Sequence, residues 1–166
     1  MKVEIPDFLK EMSEQINTQD NHITADPMFC VYYDKKVSAG EDYAEGYEYC
    51  HEDGVIGDFE ALKEHLNKNH PDFVVSVVAD LELDGFEDWD ELDCDVCDLP
   101  CGIFKYHYQK VKTFVKASFT EAGAKQFIKR KQHDYPPLYI YVESMVYQHQ
   151  MIELRNWIKS LASHGN

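Results

Sequence analysis

Residues 110–131 read KVKTFVKASFTEAGAKQFIKRK and contain a strand pattern followed at once by a helix pattern. Within the longer stretch 103–119, Val111, Thr113 and Val115 alternate with polar residues, mostly lysines, which predicts a strand with one core face and one solvent face. Thr120 then predicts a helix N-cap, because its hydroxyl can accept a hydrogen bond from the first helical turn. The period of the apolar residues therefore changes from two to 3.6 at residue 120.

The pattern continues toward the C-terminus with a second strand and a second helix. The basic run 129–131 interacts favourably with the dipole at the C-terminal end of the helix that Thr120 begins, and Pro136 stops that helix. LYIYVE, residues 138–143, predicts a strand. Ser144 predicts the start of a long last helix, whose apolar stripe consists of Tyr147, Met151, Leu154, Ile158 and Leu161. Residues 101–166 thus form a predicted β-α-β-α unit.

The N-terminal half predicts two helices and a hairpin. Asp7 can cap a first helix, and the alternating stretches 28–37 and 43–51 predict two strands that pair with each other. Asp58 predicts the cap of a further helix that Pro71 ends. Residues 73–83 match both helix and strand periods, and we favour a helix because Asp72 precedes the stretch and Gly85 follows it.

These elements together predict an α+β fold, a mostly antiparallel sheet with helices packed on it. A chain of 166 residues is expected to form a single compact domain over residues 1–166. We expect residues 1–100 to be an acidic, specialised part of this domain and residues 101–166 to be its basic C-terminal module. The chain contains no apolar run long enough for a membrane helix.

Charge is distributed very unevenly along the chain. The net charge of −15 divides into −3 for residues 1–40, −18 for residues 41–100 and +6 for residues 101–166. A field of this sign repels nucleic acid and anionic membranes and attracts basic surfaces. We therefore expect a basic protein partner, without direct binding to nucleic acid or membrane.

The acidic charge is densest in residues 80–98, which hold ten carboxylates and no basic residue. On an extended segment, carboxylates two residues apart would lie ~6.6 Å apart and would repel by ~0.6 kcal/mol in water. A groove whose lysines and arginines normally bind phosphates would relieve this repulsion. Trp89 could anchor such a contact. The predicted partner-binding residues are Glu82, Asp84, Glu87, Asp88, Trp89, Asp90, Glu91, Asp93 and Asp95.

Two other interpretations of this segment stay open. It could be a solvated loop without a partner. Alternatively, Cys94, Cys97 and Cys101 have the short spacing from which thiolates bind zinc, and Cys50, His51 or His107 could complete the site. No other cofactor is expected. Calcium is not favoured, because EF-hand registers that start at Asp88 and at Asp93 place Leu92 and Cys97 at the fifth position, where an oxygen ligand is needed.

Enzyme signatures are absent from the sequence, which contains no GxSxG, HExxH or phosphate-binding glycine loop. Cys50 and His51 are neighbours, but adjacent residues on a strand point to opposite faces and cannot form a catalytic pair. We therefore expect a binding protein that is not an enzyme. Five cysteines, an odd number, without a signal segment predict reduced thiols and a cytoplasmic location.

The C-terminal segment 119–161 resembles a module found at the end of many small accessory proteins of tailed phages and prophages. The resemblance rests on Phe119, Thr120, Glu121, Ala124, Phe127, the run KRKQHDY at 129–135, Tyr139, Tyr141, Val142, Ser144, Glu153 and Arg155. This chain departs from the module at residues 145–147, where it reads MVY. The resemblance implies viral origin and gives no catalytic residue.

Viral origin and the acidic segment together favour an inhibitor of a host defence nuclease, of the anti-CRISPR or anti-restriction type. It would mimic DNA and act in the host cytoplasm. One alternative is a zinc-stapled structural or regulatory protein. Another is an immunity protein against a basic toxin nuclease.

Overall fold

A computed structural model describes residues 4–76, 99–100 and 102–164 of the chain. The helices among the described residues are α1 (Asp7–Thr18), α2 (Phe59–Asn69), α3 (residues 71–76), α4 (Glu121–Lys131) and α5 (His149–Ser160). The strands are β1 (Pro27–Ser38), β2 (Gly46–His51), β3 (Gly54–Gly57), β4 (Phe104–Ser118) and β5 (Tyr139–Ser144). None of the described helices has the length and apolar character needed to cross a bilayer.

The five strands form one sheet in the order β3-β2-β4-β1-β5. The pairings of β1 with β5, of β2 with β3 and of β2 with β4 are antiparallel. This arrangement confirms the predicted α+β class and its antiparallel sheet with helices. The predicted β-α-β-α order at the C-terminus is also confirmed, as β4, α4, β5 and α5.

The predicted hairpin between β1 and β2 is wrong, because β4 lies between these two strands. Both ends of the connecting segment bond to β4. The Ala39 N–H donates to the His107 carbonyl at 3.0 Å, and the Glu45 N–H donates to the Tyr108 carbonyl at 2.9 Å. The hairpin that does form joins β2 to β3.

The chain packs as two compact units. Unit 1 consists of residues 1–35 and 111–166, and unit 2 consists of residues 36–110. The predicted division into residues 1–100 and 101–166 stays a prediction about charge and specialisation.

The core of unit 1 lies between the sheet and α4. Phe29 and Val31 are fully buried on one face of β1, and they pack against Ala124 of α4. Partly buried side chains surround this centre: Phe127, Ile128, Leu138, Ile140 and Val142. As predicted, Thr120 caps α4, and its Oγ1 accepts from the Gly123 N–H at 3.1 Å. Val111 was predicted to face the core, but it is exposed.

Helices α1 and α5 also pack together in unit 1. Ser13 is buried and makes two hydrogen bonds to backbone groups at the C-terminal end of α5. Its Oγ donates to the Lys159 carbonyl and accepts from the Ala162 N–H. The predicted start of the last helix at Ser144 is wrong, because α5 begins at His149. Between β5 and α5, the Met145 N–H donates to the Asp26 carbonyl at 3.0 Å. This bond continues the pairing of β5 with β1 by one residue.

The core of unit 2 lies between β2 and α2. Tyr49, Leu62, Leu66 and Ile103 form its buried centre. Asp58 caps α2 as predicted, accepting from the Ala61 N–H at 3.0 Å. Residues 73–76 are helical, in agreement with the favoured prediction, and residues 77–83 lie outside the described part of the chain.

Candidate partner-binding surface

The residues that the sequence singled out for partner and metal binding lie outside the described residues. They are Glu82, Asp84, Glu87, Asp88, Trp89, Asp90, Glu91, Asp93, Asp95, Cys94, Cys97 and Cys101. Their roles remain predictions. The observations below therefore concern the described residues of unit 1 and unit 2.

The two compact units differ sharply in charge. Unit 1 has eleven acidic and eleven basic residues, so its net charge is zero. Unit 2 has twenty acidic and five basic residues, so its net charge is −15, equal to that of the whole chain. The imbalance that the sequence showed in its middle third thus falls within the residue range 36–110, and the described part of this range holds ten of its twenty acidic residues and all five basic ones.

Most of the described carboxylates in unit 2 face solvent. Of the ten among residues 36–76, nine are exposed: Glu41, Asp42, Glu45, Glu52, Asp53, Asp58, Glu60, Glu64 and Asp72. Some have local partners. Glu60 pairs with Lys63 at 3.0 Å, and Asp58 accepts the capping hydrogen bond of α2. The described surface of unit 2 is therefore acidic in its own right.

Glu48 is the buried exception in unit 2, and it forms an ion pair with Lys36. Its hydrogen bond raises the pKa of Lys36 above the usual lysine value. The Lys36 Nζ also lies 4.4 Å from the centroid of the Tyr108 ring. This buried carboxylate is neutralised within the fold and contributes little to any outward field.

Three histidines line a cavity of about 680 Å³ in unit 2. The rings of His51 and His65 lie 6.2 Å apart between centroids, and those of His65 and His70 lie 6.1 Å apart. The Nδ1 of His51 lies 3.5 Å from the Asp53 carboxylate. Among residues 4–76, 99–100 and 102–164, no three His, Cys, Asp or Glu side chains are arranged to hold a metal ion.

The described residues suggested as additional zinc ligands have separate surroundings. Cys50 is buried, whereas His51 lines the cavity next to α2. His107 lies opposite Tyr47 in the sheet, and the centroids of the two rings are 6.1 Å apart. The adjacent positions of Cys50 and His51 thus have different environments, as expected for neighbours on a strand.

Sequence reasoning missed an aromatic surface on the sheet of unit 1, which we call the tyrosine face. It consists of Tyr32, Phe114, Tyr139 and Tyr141 with Lys112 among them. The Lys112 Nζ lies 4.0 Å from the Tyr32 ring centroid and 3.4 Å from that of Tyr141. These distances are within the range of cation–π attraction.

Carboxylates at the tyrosine face accept hydrogen bonds from its hydroxyl groups. Tyr32 donates to Glu143, and Tyr139 donates to Asp34 at 2.7 Å. Each bond raises the pKa of its tyrosine above the usual value, because ionisation would place two negative charges together. The tyrosines in VYYD and YIYVE were the available signal, but only strand pairing shows that these rings meet.

Cys30 and Cys50 are buried free thiols, and burial raises the pKa of each. Because the thiolate is the reactive form, both are expected to react with iodoacetamide much more slowly than an exposed cysteine in the folded protein. Peptide-resolved mass spectrometry after timed labelling measures this directly. Labelling of these two cysteines should become rapid in urea. Rapid labelling without denaturant would contradict the burial.

Comparison with protein-family models, curated proteins and solved structures finds no match to this chain.

Proposed function

We propose that this protein inhibits a host defence nuclease by occupying the basic groove that normally binds nucleic acid. The observation that carries the proposal is the confinement of the whole net charge of −15 to unit 2. A cationic groove would attract this body and hold it in the place of DNA. Viral origin, implied by the C-terminal resemblance, supplies the biological setting.

The distribution of charge favours a basic protein partner over an acidic surface that has no partner. Nine exposed carboxylates on the described surface of unit 2 add to the ten of residues 80–98. Repulsion among so many like charges destabilises the compact state, and a cationic partner would relieve it on binding. Complementary charge also speeds association, which suits an inhibitor that competes with DNA.

The aromatic residues of the acidic segment support a specific contact. Phe86 and Trp89 lie among the carboxylates in the sequence. Aromatic side chains at the centre of an interface commonly contribute much of its affinity, while surrounding charges set its orientation. In the proposed complex, Trp89 is the anchor and the carboxylates pair with lysines and arginines of the groove.

The test is a pull-down from bacterial lysate with the full chain as bait. We expect a nuclease to be retained at low salt and released as ionic strength rises, because exposed charge pairs are screened. Duplex DNA should release the same nuclease at constant salt, since both ligands compete for one groove. The recovered nuclease should lose activity when the protein is added back.

Two results would overturn groove occupation. A retained nuclease that binds DNA and this protein at the same time would show that the groove is free. Inhibition that is unchanged between low and high salt would show that charge pairing does not carry the contact.

A further inference from the structure

The outer edge of β5 lacks the features that usually protect a sheet edge. β5 ends the strand order, so no described strand pairs with its outer side. Its six residues pair with β1 in unbroken register, and they include no proline and one charged residue, Glu143. Natural sheets protect their edges with bulges, prolines, several charges or very short strands. β5 therefore offers backbone groups to another strand.

The strand at the opposite edge of the sheet, β3, has features that disfavour pairing with an added strand. β3 has four residues with glycine at both ends, and its pairing with β2 contains a register shift. Short length and irregular pairing make an added strand unfavourable there. The contrast indicates that the open edge of β5 is a specific feature of unit 1.

Exposed apolar side chains accompany this edge. Tyr141, in the middle of β5, is 52% exposed, and Val146 and Tyr147, which follow the strand, are 54% and 89% exposed. Unit 1 carries no net charge, so another copy of this unit would not repel it. By contrast, contact through unit 2 would bring two bodies of charge −15 together.

We propose that β5 pairs with β5 of a second copy in an antiparallel, twofold symmetric dimer. An isologous interface needs a strand that is complementary to itself. With the axis through Tyr141, Ile140 stands opposite Val142 and Tyr139 stands opposite Glu143. This register pairs apolar residues with each other and keeps the two copies of Glu143 from facing one another.

Cysteine cross-linking tests the register. Residues directly opposite in a sheet have Cβ atoms about 5 Å apart, close to the spacing that a disulfide accepts. The two copies of residue 139 would be four residues apart along the strand, about 13 Å. Under mild oxidation, Tyr141→Cys should give a covalent dimer, and Tyr139→Cys should give no more than the unchanged chain.

Sedimentation velocity tests the dimer itself, with Tyr141→Lys as the disrupting variant. The unchanged chain should dimerise more strongly as salt rises, because salt screens repulsion between the two acidic units. Nuclease binding should respond to salt in the opposite direction, so the two proposals can fail independently. A chain that stays monomeric at every salt concentration, or that cross-links equally at 139 and 141, would overturn the dimer.

Discussion

Replacing Asp88, Asp90, Glu91 and Asp93 with Asn or Gln is expected to weaken binding to the nuclease by at least about a hundredfold. Close charge pairs across such interfaces have coupling energies of about 1.5–7 kcal/mol. Loss of two pairs at the lower limit removes about 3 kcal/mol, which corresponds to about two orders of magnitude in Kd. Calorimetric titration of the recovered nuclease measures the change.

A matched control separates local charge from total charge. Replacing Glu4, Glu11, Glu14 and Glu153 with Gln changes the net charge by the same amount, but all four residues are exposed on unit 1. This variant should bind almost as tightly as the original, because in the proposed complex none of these four residues belongs to the segment that pairs with the groove. Circular dichroism checks that both variants fold.

Three outcomes decide between the interpretations. Equal losses in the two variants would mean that only overall charge matters. Undiminished binding by the variant of the acidic segment would rule out this segment as the contact. A loss confined to that variant would support groove occupation.

The acidic character of the middle could be predicted from sequence, but the neutrality of unit 1 could not. Residues 1–35 have a net charge of −4, and residues 111–166 have a net charge of +4. These charges cancel only because the two segments fold into one unit, with β1 paired to β5 more than a hundred residues away. A window along the sequence cannot show a cancellation that depends on distant pairing.

Local signals predicted most helix limits well. Asp58 and Thr120 cap their helices as expected, since a side-chain oxygen and a nearby N–H are sufficient for a cap. Asp7 is a partial exception, because α1 begins at this residue and its side chain makes no capping hydrogen bond. The start of α5 was misplaced because Met145 bonds to Asp26, a distant residue.

The failed hairpin and the tyrosine face have the same physical origin. In both cases the partner strand is remote in sequence: β4 lies between β1 and β2, and Lys112 meets tyrosines of β1 and β5. The alternation around Lys112 correctly predicted a strand and an exposed lysine, but it could not show that tyrosines of β1 and β5 lie beside this lysine. Strand order decides which side chains face each other, and alternation alone does not specify that order.

Arg155 is a buried cation in unit 1, and its environment leads to the second large prediction. The side chain is 1% exposed, and its guanidinium donates to the Asn21 side chain at 3.1 Å and to the Ala25 carbonyl at 3.5 Å. Asp26 supplies the counter-charge at 3.6 Å. Burial lowers the pKa of Arg155, while Asp26 opposes this shift. Its Nε has no hydrogen-bond partner among the described residues.

Asp26→Asn should therefore lower the free energy of unfolding by about 3–5 kcal/mol, because it leaves a buried charge without compensation. Arg155→Met should lower the free energy of unfolding by a smaller amount, because it removes the buried charge and fills similar space. The Asp26 carboxylate that remains is 28% exposed and can be hydrated. Adding Arg155→Met to Asp26→Asn should restore part of the lost stability. Urea denaturation at constant m-value measures all three variants.

Glu153→Gln is the control for these variants, because it makes a similar carboxylate-to-amide change at an exposed position on α5. It should alter the free energy of unfolding by no more than about 0.5 kcal/mol. If Asp26→Asn were as mild as this control, Arg155 would be stabilised by its neutral hydrogen bonds alone. If the double variant were less stable than Asp26→Asn, the penalty would come from lost packing around residue 155, because removing the buried charge would then bring no relief.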